Sequence, residues 1–214
     1  MKIFNLFIAL VISLAVIACG DSKDKTTSDN KTNDNSNVEN TSNTTPNNTN
    51  TTTEQSGDGQ KLSPVGTIEA ASTKGTAPNF TWEENGQQMS MNDLKGKVVF
   101  VNLWATWCGP CIKEMPELSA ISTELKDKDF KMVGLNVFHQ EGTPDVKDFL
   151  KEKPVSYWVV DGNDELVAAF EQSTGAAIEG VPTTYIIDKE GKIVETLVGM
   201  RSKEQFMAEI NKYL

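Results

Sequence analysis

Cys108 and Cys111 stand three positions apart in the run Trp107-Cys108-Gly109-Pro110-Cys111. Two thiols at this spacing can close a small disulfide, and either can resolve a mixed disulfide held on the other. Just before them, Val98-Val99-Phe100-Val101-Asn102-Leu103-Trp104 is an almost continuous apolar run. Such a run is expected of a central strand buried on both faces. From Pro110 to about residue 126 the pattern is helical. Cys108 therefore falls at the start of a helix, where the first N–H groups have no partner and the dipole is positive. A thiolate is stabilised there, so the nucleophilic form exists near neutral pH. Pro110 suits the first turn because its missing N–H is not needed. A zinc site would need two further ligands, and the only other candidates are Cys19, at the far end of an N-terminal run, and the single histidine, His139. Covalent haem attachment needs a histidine directly after the second cysteine, where this chain has Ile112. A purely structural disulfide is the remaining inert reading.

The elements that must position this pair can be read from the remaining pattern. Phe80-Thr81-Trp82-Glu83 and Gln88-Met89-Ser90-Met91 flank Asn85-Gly86, a hairpin signal. Residues 92–96 read as a short turn, 130–137 and 156–160 as strands, and 164–170 as a short helix. Thr143-Pro144 predicts a helix with Thr143 as N-cap and an apolar face including Val146, Phe149 and Leu150. Residues 183–188 and 192–198 read as paired strands, and Ser202 as the cap of a last helix. Strands alternating with helices, then a closing hairpin and helix, predict an α/β fold: a mixed central sheet flanked by helices, with an N-terminal β-hairpin.

Ahead of this domain the chain changes character twice. Residues 1–18 carry Lys2, an apolar stretch and small Ala18 before Cys19. The stretch is shorter than the ~20 residues of a spanning helix, and the order is that of a signal peptide. Val16-Ile17-Ala18-Cys19 resembles the bacterial lipobox, which implies cleavage before Cys19 and a lipid on its thiol. Residues 19–75 are rich in Asn, Thr and Ser and read as a disordered tether. A tether of that length reaches roughly 40 Å. Residues 65–71 are mildly apolar and leave a stray strand open; the folded domain is expected over 76–214. The net charge is −10, from 20 Lys+Arg against 30 Asp+Glu, which argues against nucleic-acid binding.

From Ala77 onward the chain resembles the thioredoxin superfamily. The motifs are Ala77-Pro78-Asn79-Phe80, Leu94-Lys95-Gly96-Lys97-Val98-Val99, Asn102 through Cys111, Lys113-Glu114-Met115-Pro116, and Gly180-Val181-Pro182-Thr183-Thr184. The resemblance is strongest to the membrane-anchored TlpA and ResA type of thiol–disulfide oxidoreductase. It implies a thioredoxin-like fold. Cys108 would be the attacking, partly exposed thiol and Cys111 the shielded resolving one, with Gly109 and Pro110 between them as in reducing thioredoxins. Trp107 would cover the site, Pro116 would kink the active-site helix, and Pro182 would be a cis-proline facing the cysteines. The backbone of Val181 would pair with an extended substrate. Glu114, three residues after Cys111, would tune the thiols and handle protons; a solvated acid favouring the helix start is the plainer reading. Two departures stand out. Asn102 replaces the buried aspartate of cytoplasmic thioredoxins, and residues 171–179 look longer than usual before the Pro182 segment. His139 reads as a surface loop residue, and Tyr157, Trp158 and Phe170 as core.

The expected function is extracytoplasmic disulfide reduction on protein substrates, fed by a membrane thiol carrier, with apocytochromes before haem attachment among the clients. The same residues serve an oxidase or isomerase of opposite poise. A peroxidase would need a Pro-x-x-x-Thr-x-x-Cys site, and Ala105 stands in place of that threonine. A copper-binding assembly protein would have to use both thiols and His139. No metal or organic cofactor is implied, and a monomer is expected.

Overall fold

In the computed structural model, residues 60–214 are described. The expected signal peptide, Cys19 and most of the expected tether lie outside them. In chain order the elements are β1 (Leu62–Pro64), β2 (Ile68–Glu69), β3 (Asn79–Glu84), β4 (Gln87–Ser90), a 3₁₀ turn (Met91–Leu94), β5 (Val98–Trp104) and α1 (Gly109–Glu124). There follow β6 (Phe130–Asn136), α2 (Val146–Glu152), β7 (Trp158–Asp161), α3 (Asp164–Thr174), β8 (Thr183–Ile187), β9 (Ile193–Val198) and α4 (Lys203–Ile210).

Among the described residues the main sheet runs β1-β7-β6-β5-β8-β9, and β2-β3-β4 form a second, antiparallel sheet. β5 pairs with β6 in parallel and with β8 antiparallel, and every residue of it is buried. That double burial explains its unbroken apolar run. One face of the sheet packs Phe100 and Trp104 against Met115, Leu118 and Ile121 of α1, Phe149 of α2, and Phe206 and Ile210 of α4. The other packs Val99, Val101 and Leu103 against Leu166 and Phe170 of α3 and against Phe80 and Trp82 of the hairpin. Asn85 and Gly86 both take positive φ, 54° and 76°, as a two-residue type I′ turn requires. This is the thioredoxin-like α/β sandwich.

The structure corrects several boundaries. The ordered domain begins before residue 75. β1 pairs in parallel with β7 (Leu62 opposite Val159), and β2 pairs with β3 (Ile68 opposite Phe80). Leu62 packs on one core, and Val65 and Ile68 on the other. These few apolar residues suffice because they add to sheet edges that already exist. α2 starts two residues later than Thr143 suggests. Its N-cap is Asp145, whose carboxylate accepts from the N–H groups of Lys147 and Asp148, while the Thr143 hydroxyl donates to Gln140. α3 runs through Thr174 and ends at Gly175 in the left-handed conformation, so half of the 171–179 stretch is helix. Trp158 is only half-buried, whereas Tyr157 and Phe170 are core.

A fragment beginning at Thr76 lacks β1, β2 and three half-buried apolar side chains. At roughly 1 kcal/mol for each, it is expected to unfold with about 3 kcal/mol less stability than a fragment beginning at Gln60, as measured by urea denaturation.

Candidate active site

Cys108 and Cys111 are joined in a disulfide at the point where β5 hands over to α1. Cys108 is the N-cap of α1, and its Sγ accepts from the Cys111 N–H at 3.2 Å. Its own N–H donates to the Ala105 carbonyl, which tightens the strand-to-helix turn. The sulfur therefore sits where the helix dipole and an unpaired N–H favour negative charge. Both cysteines are buried in this oxidised form, Cys108 at 3 % exposure and Cys111 at 1 %. The expected contrast between an exposed and a shielded thiol is thus small while the disulfide is closed. Gly109 and Pro110 are exposed above the pair and form the first turn of α1. Pro116 lies inside α1 and deprives the Ile112 carbonyl of its helical donor.

The Val181–Pro182 peptide is cis. It brings the Val181 carbonyl to 3.5 Å from Cys108 Sγ, the position to which a reduced thiol would donate. The Trp107 side chain is 40 % exposed, and its Nε1 donates to the Phe138 carbonyl at 2.8 Å. That bond fixes the indole beside the disulfide, over a cleft of about 240 Å³ that Thr106, His139 and Asp161 help to line. His139 is an exposed loop residue, as expected, and its Nε2 lies 2.8 Å from Asp161 Oδ1, which also accepts from Asn136 Nδ2.

Beneath the cysteines lies a buried polar row. Asn102 Nδ2 donates to Glu114 Oε1 and to Thr184 Oγ1, each at 3.0 Å. Glu114 is 1 % exposed, so it is not the solvated first-turns acid of the plainer reading. Its Oε2 has no hydrogen-bond partner among the described residues. Burial pushes its carboxyl up to about 7, against the opposing effects of Asn102 and Arg201. Asn102 thus stands where cytoplasmic thioredoxins keep an acid, and it holds the acid of this chain by a hydrogen bond. Tyr157 packs nearby. A Cβ on Gly134 would lie 2.9 Å from its ring and 3.2 Å from Trp104 Nε1, so only glycine lets both rings cross β6. Burial and the Glu114 charge keep the Tyr157 phenol neutral far above its ordinary range.

Three contributors escaped the sequence reading. Thr184 had a usable signal, since alternation along the strand after Pro182 puts it on the same face as the cysteines. Arg201 and Tyr157 had none. The rim residues Val198 and Met200, 66 % and 51 % exposed, are also brought to the cis-proline turn only by folding: Gly199, between them, donates its N–H to the Pro182 carbonyl.

A buried strand ending in a helix-capping disulfide that faces a cis-proline, with an acid beneath, defines a thioredoxin-type dithiol–disulfide centre. The comparisons agree. Residues 72–213 match the Redoxin family. The ResA thiol-disulfide oxidoreductase of Bacillus cereus is 34 % identical over 138 residues, 64 % of this chain and 75 % of that protein. Its Bacillus subtilis counterpart is 34 % identical over 145 residues, 67 % and 76 % of the two chains. A crystal structure of a thioredoxin-family thiol:disulfide interchange protein from Chlorobium tepidum superposes with a TM-score of 0.58 at 33 % identity, covering 67 % of this chain and 99 % of that one. The chain belongs to the thioredoxin superfamily, as a TlpA/ResA-like thiol–disulfide oxidoreductase.

Because folding raises the Glu114 pKa from 4.5 to about 7, its protonated form stabilises the folded state below pH 4.5, and this contribution is lost as pH rises through 7. Stability of the oxidised domain is expected to fall by about 3 kcal/mol across that window, since each pKa unit is worth about 1.4 kcal/mol. Glu114→Gln should remove this dependence, as read from urea unfolding at a series of pH values.

Proposed function

We propose that the protein reduces disulfides of envelope proteins from an extracytoplasmic position, held to a membrane by a lipid on Cys19. The observation that carries the reading is Glu114, a buried carboxyl poised near neutral pH three residues after Cys111 on the same helix. It is placed to move the proton that disulfide exchange must shed. In the reduced protein, the Cys108 thiolate attacks a client disulfide, and the client's distal sulfur leaves as a thiolate that takes up a proton. The Glu114 carboxylate accepts the Cys111 proton. The Cys111 thiolate then attacks Cys108 Sγ, expelling the second client thiolate and closing the disulfide. Two electrons pass to the client, and Cys108–Cys111 ends oxidised. The extended client chain lies along the Val181 backbone, as an added strand does, and Trp107 and Pro182 wall the sulfur.

A membrane thiol carrier re-reduces the pair. The Gly109-Pro110 dipeptide, shared with reducing thioredoxins, and the similarity to ResA proteins support the reducing direction. Apocytochromes awaiting haem attachment are one client class with the necessary cysteine pairs. The domain acts as a monomer at the end of its tether.

The reduction potential of Cys108–Cys111 tests the direction, using a fragment that begins at Gln60 or earlier. A value near that of thioredoxin, about −270 mV, is expected. A value at or above roughly −180 mV overturns the reducing assignment in favour of an oxidase or isomerase. Cys108→Ser should abolish client reduction, and Cys111→Ser should trap a client on Cys108 as a mixed disulfide visible by non-reducing electrophoresis.

A further inference from the structure

His139 is exposed, yet its side chain is tied down. Its Nε2 lies 2.8 Å from Asp161 Oδ1 and 2.9 Å from Asn136 Nδ2, and that Nδ2 lies 2.8 Å from the same carboxylate oxygen. A carboxylate oxygen accepts, so Nε2 carries a proton and donates it to Asp161. Asn136 donates to that oxygen as well, and the two nitrogens are gathered on one acceptor. Asn136 ends β6 and stands opposite Asp161, the last residue of β7, in the parallel register. His139, three residues further on, returns to this pair because the chain turns at Phe138, whose φ is 55°. That left-handed conformation is unfavourable for a bulky side chain and persists only where its surroundings hold it. The Val137 N–H, bonded to the Trp104 carbonyl, holds the turn from the near side, and His139 holds it from the far side. Between the two, the Phe138 carbonyl accepts from Trp107 Nε1 at 2.8 Å.

We infer that His139 is a positioning residue for the protein client: by pinning the Phe138 turn to Asp161, it holds the Trp107 indole beside Cys108 in the orientation that an extended client meets. The inference deepens the reductase reading and rests on it for the client. Trp107 directly precedes Cys108, and it lines the cleft of about 240 Å³ together with Phe138, His139 and Asp161. An indole released from the Phe138 carbonyl has other rotamers open to it. Ordering it then falls to the client on binding, at a cost in affinity. A small disulfide meets only the sulfur and is spared that cost. Other polar side chains of the cleft are engaged elsewhere: the Thr143 hydroxyl donates to the Gln140 carbonyl, and the Asp145 carboxylate caps α2. An exposed pair such as His139–Asp161 adds little to global stability, so its effect is felt locally, at the turn it closes.

The test compares His139→Leu and His139→Gln with the unaltered full chain. Glutamine keeps an N–H donor within reach of Asp161, and leucine does not. Solvent exchange of the Trp107 indole N–H is read by NMR, its signal assigned by its loss in Trp107→Phe. In His139→Leu this exchange is expected to quicken roughly fivefold, the scale of one net hydrogen bond. The indole N–H of Trp104, which is fully buried, should exchange as before, and His139→Gln should restore the Trp107 rate. For His139→Leu the insulin KM is expected to rise roughly fivefold and the KM for a small aromatic disulfide less than about twofold, with His139→Gln close to the unaltered chain on both. An unmoved Trp107 exchange in His139→Leu, or one that moves together with that of Trp104, overturns the inference. So do an unmoved insulin KM and equal losses on both substrates. Failure of the unaltered chain to reduce insulin overturns the reductase reading and the client part of this inference, whereas the indole exchange decides by itself whether His139 holds Trp107.

Discussion

β5 is hydrogen-bonded on both sides and buried along its whole length, and it ends where α1 begins. Nearly every feature of the site descends from that constraint. A strand held on both edges cannot shift its register without breaking two ladders and turning its apolar side chains the wrong way. Its last residues therefore deliver Cys108 to a fixed point, at the positive end of a helix. The disulfide chemistry rests on a rigid strand, and the reactive sulfur belongs to its exit turn.

The same strand carries Asn102 on the face that meets α1. An amide in a core of Phe100, Trp104 and Leu118 is costly unless it is bonded. It binds Thr184 on one neighbour and Glu114 on the helix above, so the cost is largely offset. Glu114 is less well served, since one of its oxygens has no partner among the described residues. Burial of the carboxyl is why its proton is held so firmly, since the bond from Asn102 offsets only part of the desolvation. A fully bonded carboxylate would stay ionised and could accept no proton from a thiol near neutral pH. A fully exposed one would titrate too low to matter. The site thus holds a tension that a structural core would have removed.

The second sheet and the short N-terminal strands belong to this logic as well. β1 covers the β7 edge, and β2 extends the hairpin over the face opposite the cysteines. An uncovered edge would present unpaired N–H and C=O groups to other chains. Because β1 runs parallel to β7, the incoming chain joins the domain at the opposite end of the sheet from Cys108.

Much of this was legible along the chain. The unbroken run of β5, the two-residue gap between the cysteines and the Pro at the helix start specify a strand, a turn and a helix by local rules. Asn85-Gly86 specifies a hairpin because only such residues tolerate two successive positive φ values. Glu114 could be named from its three-residue offset, because helical periodicity is local. Its burial could not, since that depends on β5, β8 and the α4 approach meeting at one place. Arg201 and Tyr157 lie 87 and 43 residues beyond Glu114 in the chain, and no local pattern ties them to it. The strand at Leu62 was hidden for the same reason, and that at Ile68 showed only as a mildly apolar stretch: so short a segment has little strand signal of its own and becomes a strand only when an edge is present to pair with. Sequence by itself determined the elements and the reactive pair, whose causes lie within a few residues of one another. Tertiary structure alone decided which polar groups are left dry beside that pair, because desolvation is imposed by everything that packs around a group.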